Sequence, residues 1–221
     1  MKTSSVSNKK SDKISTKQRI INYAIEMFNT NGVQNVTSRH IAAEMGISHG
    51  NLDYHYNTKE DLLLAIYKQM REEMSESYLI KESYSSSIEH LHRLLIHLAH
   101  FHLKYKFFHL DLLEIHRSYP RINEILQENL RLRRDQMLAL FEKFIDEKYI
   151  IGESSDEYIR LRHTIRIVIT FWLIQQEVLT SFKFQKEGEM VKHIWELLMP
   201  YMTDLGKEEY ERVTQRFSFS S

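Results

Sequence analysis

The chain has 221 residues, 42% of them apolar and 11% aromatic, which is enough to build a core and excludes wholesale disorder. It holds no cysteine, which excludes disulfides, thiolate catalysis and cysteine-held metals, and fits a reducing cytosol. Formal net charge is zero, and the most apolar run, Ile167 to Ile174, is far shorter than the ~20 residues of a membrane span.

Two prolines and six glycines are sparse punctuation, so the sequence predicts an all-α protein of long helices. The first residues are polar and do not resemble a signal peptide. Residues 1–14 are rich in Ser and Lys and are expected to form a flexible basic arm. Over residues 1–19, six basic side chains face Asp12 alone, a net of +5, so the remainder sums to −5. Such an arm suits a polyanion; the plainer alternative is a solvated tail.

The first helix is expected over about residues 16–30, capped by Ser15 or Thr16, with Gln18 placed for a capping box with Ser15. Ile20, Ile21, Ala24, Met27 and Phe28 form its apolar face, and Gly32 stops it. Thr37 is the N-cap of a second helix that ends at Gly46. Ser48 caps a short third helix anchored by Leu52, and Thr58 caps a fourth that runs to about residue 77. Beyond it, helices are expected near 84–104, 106–117, 121–148, 155–183 and 187–204, with a fraying helix after Gly206. Breaks fall at Ser118–Pro120, Gly152–Asp156 and Phe184–Gly188.

The second and third helices, joined by the turn Gly46-Ile47-Ser48, form a helix-turn-helix. The second helix of such a pair is shaped to enter the major groove. Ser48, His49, Gly50 and Asn51 lead it, and Asn can read adenine bidentately. Thr37, Ser38 and Arg39 open the preceding helix, whose N-terminal N–H groups suit a phosphate. Thr58 and Lys59 repeat that arrangement, with Tyr54 and His55 between. Each has a plainer alternative: Tyr54 or Tyr56 as core, Tyr56 the more so because polar Asn57 and Thr58 follow it, Arg39 and His40 as solvated surface, any Ser or Thr as a cap.

Residues 16–66 resemble the N-terminal domain of the TetR/AcrR family of transcriptional regulators. The resemblance rests on Ile20, Ala24, Phe28, Gly32, Thr37, Ile41, Ala42, Gly46, Ile47, Ser48, Gly50, Leu52, Tyr54, Tyr56, Lys59, Glu60 and Leu62, in register without a gap. It implies an N-terminal three-helix DNA-binding domain with a connecting helix over 15–77. A larger helical effector-binding and dimerisation domain would fill 78–221. It implies base contacts from Ser48, His49, Gly50 and Asn51 and phosphate contacts from Tyr54, His55 and Lys59, with Thr37, Ser38 and Arg39 at the groove edge. It further implies a cytoplasmic homodimeric repressor, paired through its last two long helices and released from a pseudo-palindromic operator by a small effector. Asp53 departs from the family, which commonly has an aromatic there. A carboxylate near phosphate is repelled unless it accepts from cytosine or pairs with a neighbour such as His49.

In the larger half, Phe101, Phe108, Phe171 and Trp172 are candidates to line a pocket for an apolar or aromatic effector, with His97, His100 or Gln175 to orient it. Ordinary core is the plainer alternative. Seven histidines fall between His90 and His116, but scattered surface and core roles suit them better than a metal site. No nucleophile, base and oxyanion hole occur together, so neither an enzyme nor a cofactor is expected. A rival reading is a helical interaction protein of this fold without sequence-specific DNA binding, motivated by Asp53.

Overall fold

A computed structural model describes residues 14–78, 84–178, 184 and 186–219. Among these the fold is helical, with one isolated bridge between Ile150 and Met202. The basic arm, up to residue 13, lies outside the described residues, as do 79–83 and 179–183.

The first four helices follow the sequence closely. Helix α1 spans Thr16–Asn31, and Ser15 Oγ accepts from Gln18 N at 3.2 Å. The Gln18 side chain does not close the expected capping box: it donates to Asn22 and to Gln69. Gly32, at φ 77°, sends its N–H back to the Phe28 carbonyl. Helix α2 is Ser38–Glu44, and here the box does close, with the His40 ring as the reciprocal partner of Thr37. Gly46 turns the chain at φ 66°, a conformation that favours glycine. Helix α3 is His49–His55, capped by Ser48. Helix α4 is Lys59–Ser75, with Thr58 and Asp61 bonded reciprocally at its start. Ile20, Phe28, Ile41, Leu52, Tyr56 and Ile66 are buried together and fix the angle between these helices.

The second half departs from the expected boundaries. Helix α5 is Ser87–Lys104. The helix expected over 106–117 is two pieces, α6 Lys106–Leu110 and α7 Leu112–Ser118. Polar side chains stabilise both breaks. Asn29 of α1 accepts from Phe107 N and donates to the Lys104 carbonyl, each at 2.9 Å. Asp111 accepts from Val33 N at 2.7 Å. Groups orphaned by the helix ends are therefore bonded by α1 or used to hold the loop after it. Helix α8 is Pro120–Asp146, with proline in its first turn.

A 3₁₀ turn at Ser155–Tyr158 leads into α9, Ile159–Val178. Helix α10 is Glu189–Leu198, shorter than expected because a 3₁₀ turn at Met199–Tyr201 ends it. Helix α11, Asp204–Arg216, is a capped helix packed on α5, not a fraying tail. Gly206 lies within it, where a Cβ would overlap the Tyr149 carbonyl. A second core joins Leu95, Phe141, Phe144, Ile194 and Trp195. Buried His92 belongs there: Nδ1 accepts from Trp195 Nε1 at 3.2 Å, and Nε2 meets the Phe217 and Ser218 carbonyls.

Candidate nucleic-acid interface and ligand cavity

Helices α2 and α3 and their caps carry most of the polar side chains selected from the sequence. Thr37, Arg39, Ser48, Gly50 and Asn51 are exposed, and Ser38, His49 and His55 are half-buried. Tyr54 is 85% exposed, with its ring edge-on to His55. A large aromatic left in water on a helix whose other side is anchored by Leu52 has no role in this core. Gly50 has open space around its missing Cβ, so packing does not explain it either. Tyr56 by contrast is buried, as core.

Two details bear on charge. Asp53 Oδ2 lies 3.2 Å from His49 Nδ1, so the odd carboxylate is engaged by its i−4 neighbour. Lys59 is half-buried: its ammonium donates to the Val33 carbonyl and lies 5.7 Å from the centre of the Phe28 ring. Burial lowers its pKa, opposed by Asp111 and Glu114.

Below this unit a cavity of about 640 Å³ opens between α4, α5, α6, α8 and α9. Met70, Met74, Leu98, Phe101, Phe108 and Ile169 are among its apolar lining. Asn129 Nδ2 donates to Tyr67 Oη at 2.7 Å, and its Oδ1 is buried without a partner. His102 and His109 face each other with ring centres 4.0 Å apart. Burial holds both below the ordinary imidazole range, His109 at about 4, so both are neutral at pH 7. Five arginines complete the wall: Arg71, Arg133, Arg134, Arg162 and Arg166.

Family models match nearly the whole helical chain. Residues 20–66 match the bacterial regulatory proteins of the tetR family, and residues 69–210 match a bacterial transcriptional repressor model of the same name. The chain belongs to the TetR family. It is a DNA-binding transcriptional regulator and not an enzyme. It is 26% identical to the HTH-type transcriptional regulator SAB2452 of Staphylococcus aureus over 203 residues, covering 91% of this chain and 97% of that one. A TetR-family regulator from Marinobacter aquaeolei shares its fold at a TM-score of 0.81 and 24% identity, over 94% and 100% of the two chains. A regulator from Saccharomonospora viridis, solved in complex with choline, does so at 0.68 and 18%, over 84% and 96%.

Within this TetR-family chain, the sequence-selected DNA residues are each exposed or half-buried on or beside α2, α3 and the start of α4, with the Lys59 ammonium turned to the Val33 carbonyl. The pocket candidates divide. Phe101 and Phe108 line the cavity; His97, His100, Phe171, Trp172 and Gln175 do not. His97 lies beside Phe101, and His100 pairs with Glu187 at 3.3 Å. Phe171 points outward, half-exposed, and Trp172 packs on His193. Sequence reasoning missed the α8 and α9 arginines. Their signal was present: Ile159, Arg162, Arg166 and Ile169 recur at helical spacing on α9, putting two charges on an otherwise apolar stripe. Among the described residues no group of three or more His, Asp or Glu is arranged for a metal ion, and no helix is long and apolar enough to cross a membrane.

Proposed function

We propose that the chain is a cytoplasmic, homodimeric repressor that leaves a pseudo-palindromic operator when a small apolar or aromatic molecule occupies the cavity. The observation that carries this reading is α4. Its first half packs Leu62, Leu63 and Ile66 into the helix-turn-helix core, and its second half lines the cavity with Tyr67, Met70, Arg71 and Met74. One rigid helix therefore touches both sites. Arg121 at the start of α8 adds a tie, 2.9 Å from Asp61 at the start of α4. The proposed division is a basic arm over 1–14, a DNA-binding unit over 15–77 and an effector and dimer unit over 78–221.

Thr37, Ser38, Arg39, Tyr54, His55 and Lys59 would hold the backbone, while Ser48, His49, Gly50 and Asn51 face bases. Open space at Gly50 supports close approach to a groove wall. For Lys59 to bind a phosphate, its ammonium would leave the Val33 carbonyl. Ile167, Phe171 and Val178 form an exposed apolar stripe on α9. With the outer side of α10, whose Val191, Ile194, Trp195 and Leu198 are core, they would supply a face for a second copy and set the recognition helices ~34–36 Å apart. Choline in the Saccharomonospora viridis regulator supports a small-molecule role, without indicating the same ligand. Effector acts by binding the two arrangements unequally.

Fluorescence anisotropy tests this on the duplex upstream of the protein's own gene and, if that fails, on duplexes selected from random DNA. Specific, salt-weakened binding that Asn51→Ala reduces is expected. Light scattering should give a dimer for the wild type and a monomer for Phe171→Glu. No specific duplex after selection, or an unchanged dimer in the variant, would overturn the corresponding half of the proposal.

A further inference from the structure

The charge of the cavity wall is not balanced. Asp135 is its one carboxylate, and it is taken by Arg134 at 2.9 Å. Arg71, Arg133, Arg162 and Arg166 have no acidic partner within 4.0 Å among the described residues. Arg133 stacks on Tyr78 with its guanidinium 4.3 Å from the ring centre and donates to Gln136 at 2.8 Å. Arg166 donates to the Leu130 carbonyl at 3.3 Å, one turn of α8 before Arg133. Arg162 Nε is buried with no hydrogen-bond partner. Arg71 is exposed, whereas Arg133, Arg162 and Arg166 are half-buried. A guanidinium keeps its proton in such a setting, so these three beside an apolar space suit an anion.

The cavity is also graded along its length. On α9, Arg162 and Arg166 come first, and Ile169 and Thr170 follow one turn later. His109 meets the Thr170 backbone, and α6, which carries Phe108 and His109, packs on α9. The eight residue steps from Arg162 to Thr170 span about 12 Å. That length accommodates a head group at one end and an apolar body at the other.

We propose that the cavity binds an amphipathic anion, with a carboxylate or phosphate head held by Arg133 and Arg166 and an apolar body lying toward Phe101 and Phe108. A planar guanidinium fork engages either head bidentately, so these arginines select charge and the far end selects an apolar body. The inference rests on the effector reading of this cavity and replaces "apolar or aromatic" with a charged class. Neither cationic nor neutral lipophiles would fill it well.

Isothermal titration calorimetry on the full chain, without DNA, tests it with dodecanoate, dodecyl phosphate, dodecanol and dodecyltrimethylammonium, all below micelle formation. At least one anion should bind about tenfold or more tighter than dodecanol, because its head gains charge-assisted hydrogen bonds, and the cation should not bind. The double variant Arg133→Gln, Arg166→Gln should bring the anion down to the level of dodecanol, while circular dichroism and operator affinity stay as in the wild type. If that variant does not fold, Arg162→Gln takes its place with a smaller expected loss. The proposal is overturned if dodecanol matches both anions, if no probe binds, or if a folded arginine variant keeps its preference for the anion. Operator release is scored separately. An anion that binds without releasing DNA defeats the effector reading and leaves the cavity's anion preference standing; a neutral ligand that releases DNA does the reverse.

Discussion

Replacing His109 with glutamine should flatten the acid side of the stability profile. In the native chain His109 stands in the cavity wall against His102, and burial pushes it from the ordinary 6.5 down to about 4. The unfolded chain accepts that proton near 6.5. The native state therefore keeps its full advantage above pH 6.5 and loses it as pH falls toward 4. Linkage gives a loss of about 2 kcal/mol at pH 5 and about 3 kcal/mol at pH 4 from this group alone. His102 is pushed down as well, mainly by burial and then by His109, and adds in the same direction. Buried His92 and half-buried His97 do so too. The depressed carboxylates Glu89 and Glu209 act later, because their ordinary value is 4.5. The window from pH 7 to pH 5 therefore isolates the histidines.

The assay is guanidinium chloride unfolding followed by circular dichroism, at one fixed chain concentration because the proposed dimerisation would add to apparent stability. With a slope of about 4 kcal/mol/M, the share of His109 is roughly 0.5 M in midpoint between pH 7 and pH 5. The variant should lose that much less than the wild type over the same interval. Any constant cost of the substitution cancels, because only the change with pH is compared. Equal losses in the two proteins would refute the argument and mean that water reaches the ring freely.

Two substitutions test packing and charge elsewhere. Gly206→Ala places a methyl on the Tyr149 carbonyl and should cost about 1–3 kcal/mol as an overpacked contact, seen as a lower melting temperature; an unchanged melt would mean α11 shifts without penalty. Asp53→Asn removes a half-exposed carboxylate from the recognition helix and frees His49, and should tighten operator binding roughly two- to five-fold at low salt. Weaker binding instead would mean that Asp53 reads a base or holds His49 in place.

The helix-turn-helix was legible because each of its signals is local. Caps at Ser15, Thr37, Ser48 and Thr58 and the glycine at 46 act within three or four residues, and all appear where the sequence puts them. Even the pairing of Asp53 with His49 is an i, i+4 contact that spacing alone offers. The cap partners were less legible: His40 closes a box that no Glu or Gln marks, whereas Gln18 is diverted to Gln69, 51 residues away.

The cavity was poorly legible because its geometry depends on a break that long-range contacts stabilise. The seven-residue spacing of His102 and His109 would face both rings one way on an unbroken helix. Tyr105 breaks the helix, and the two rings, one on each side of the break, meet with centres 4.0 Å apart at a tilt of 52°. Asn29, on a helix about 75 residues earlier in the chain, bonds both sides of that break, and no periodicity within 100–110 reveals it. On α9 the difficulty was rotational. The run from Ile167 to Ile174 is apolar on every side, so hydropathy could not separate the exposed Phe171 from the cavity-lining Ile169. The arginines at 162 and 166 lie on the cavity side with Ile169. A charge on an apolar stripe is costly unless something offsets it, so the least hydrophobic residues of the helix are the better guide to what the cavity binds.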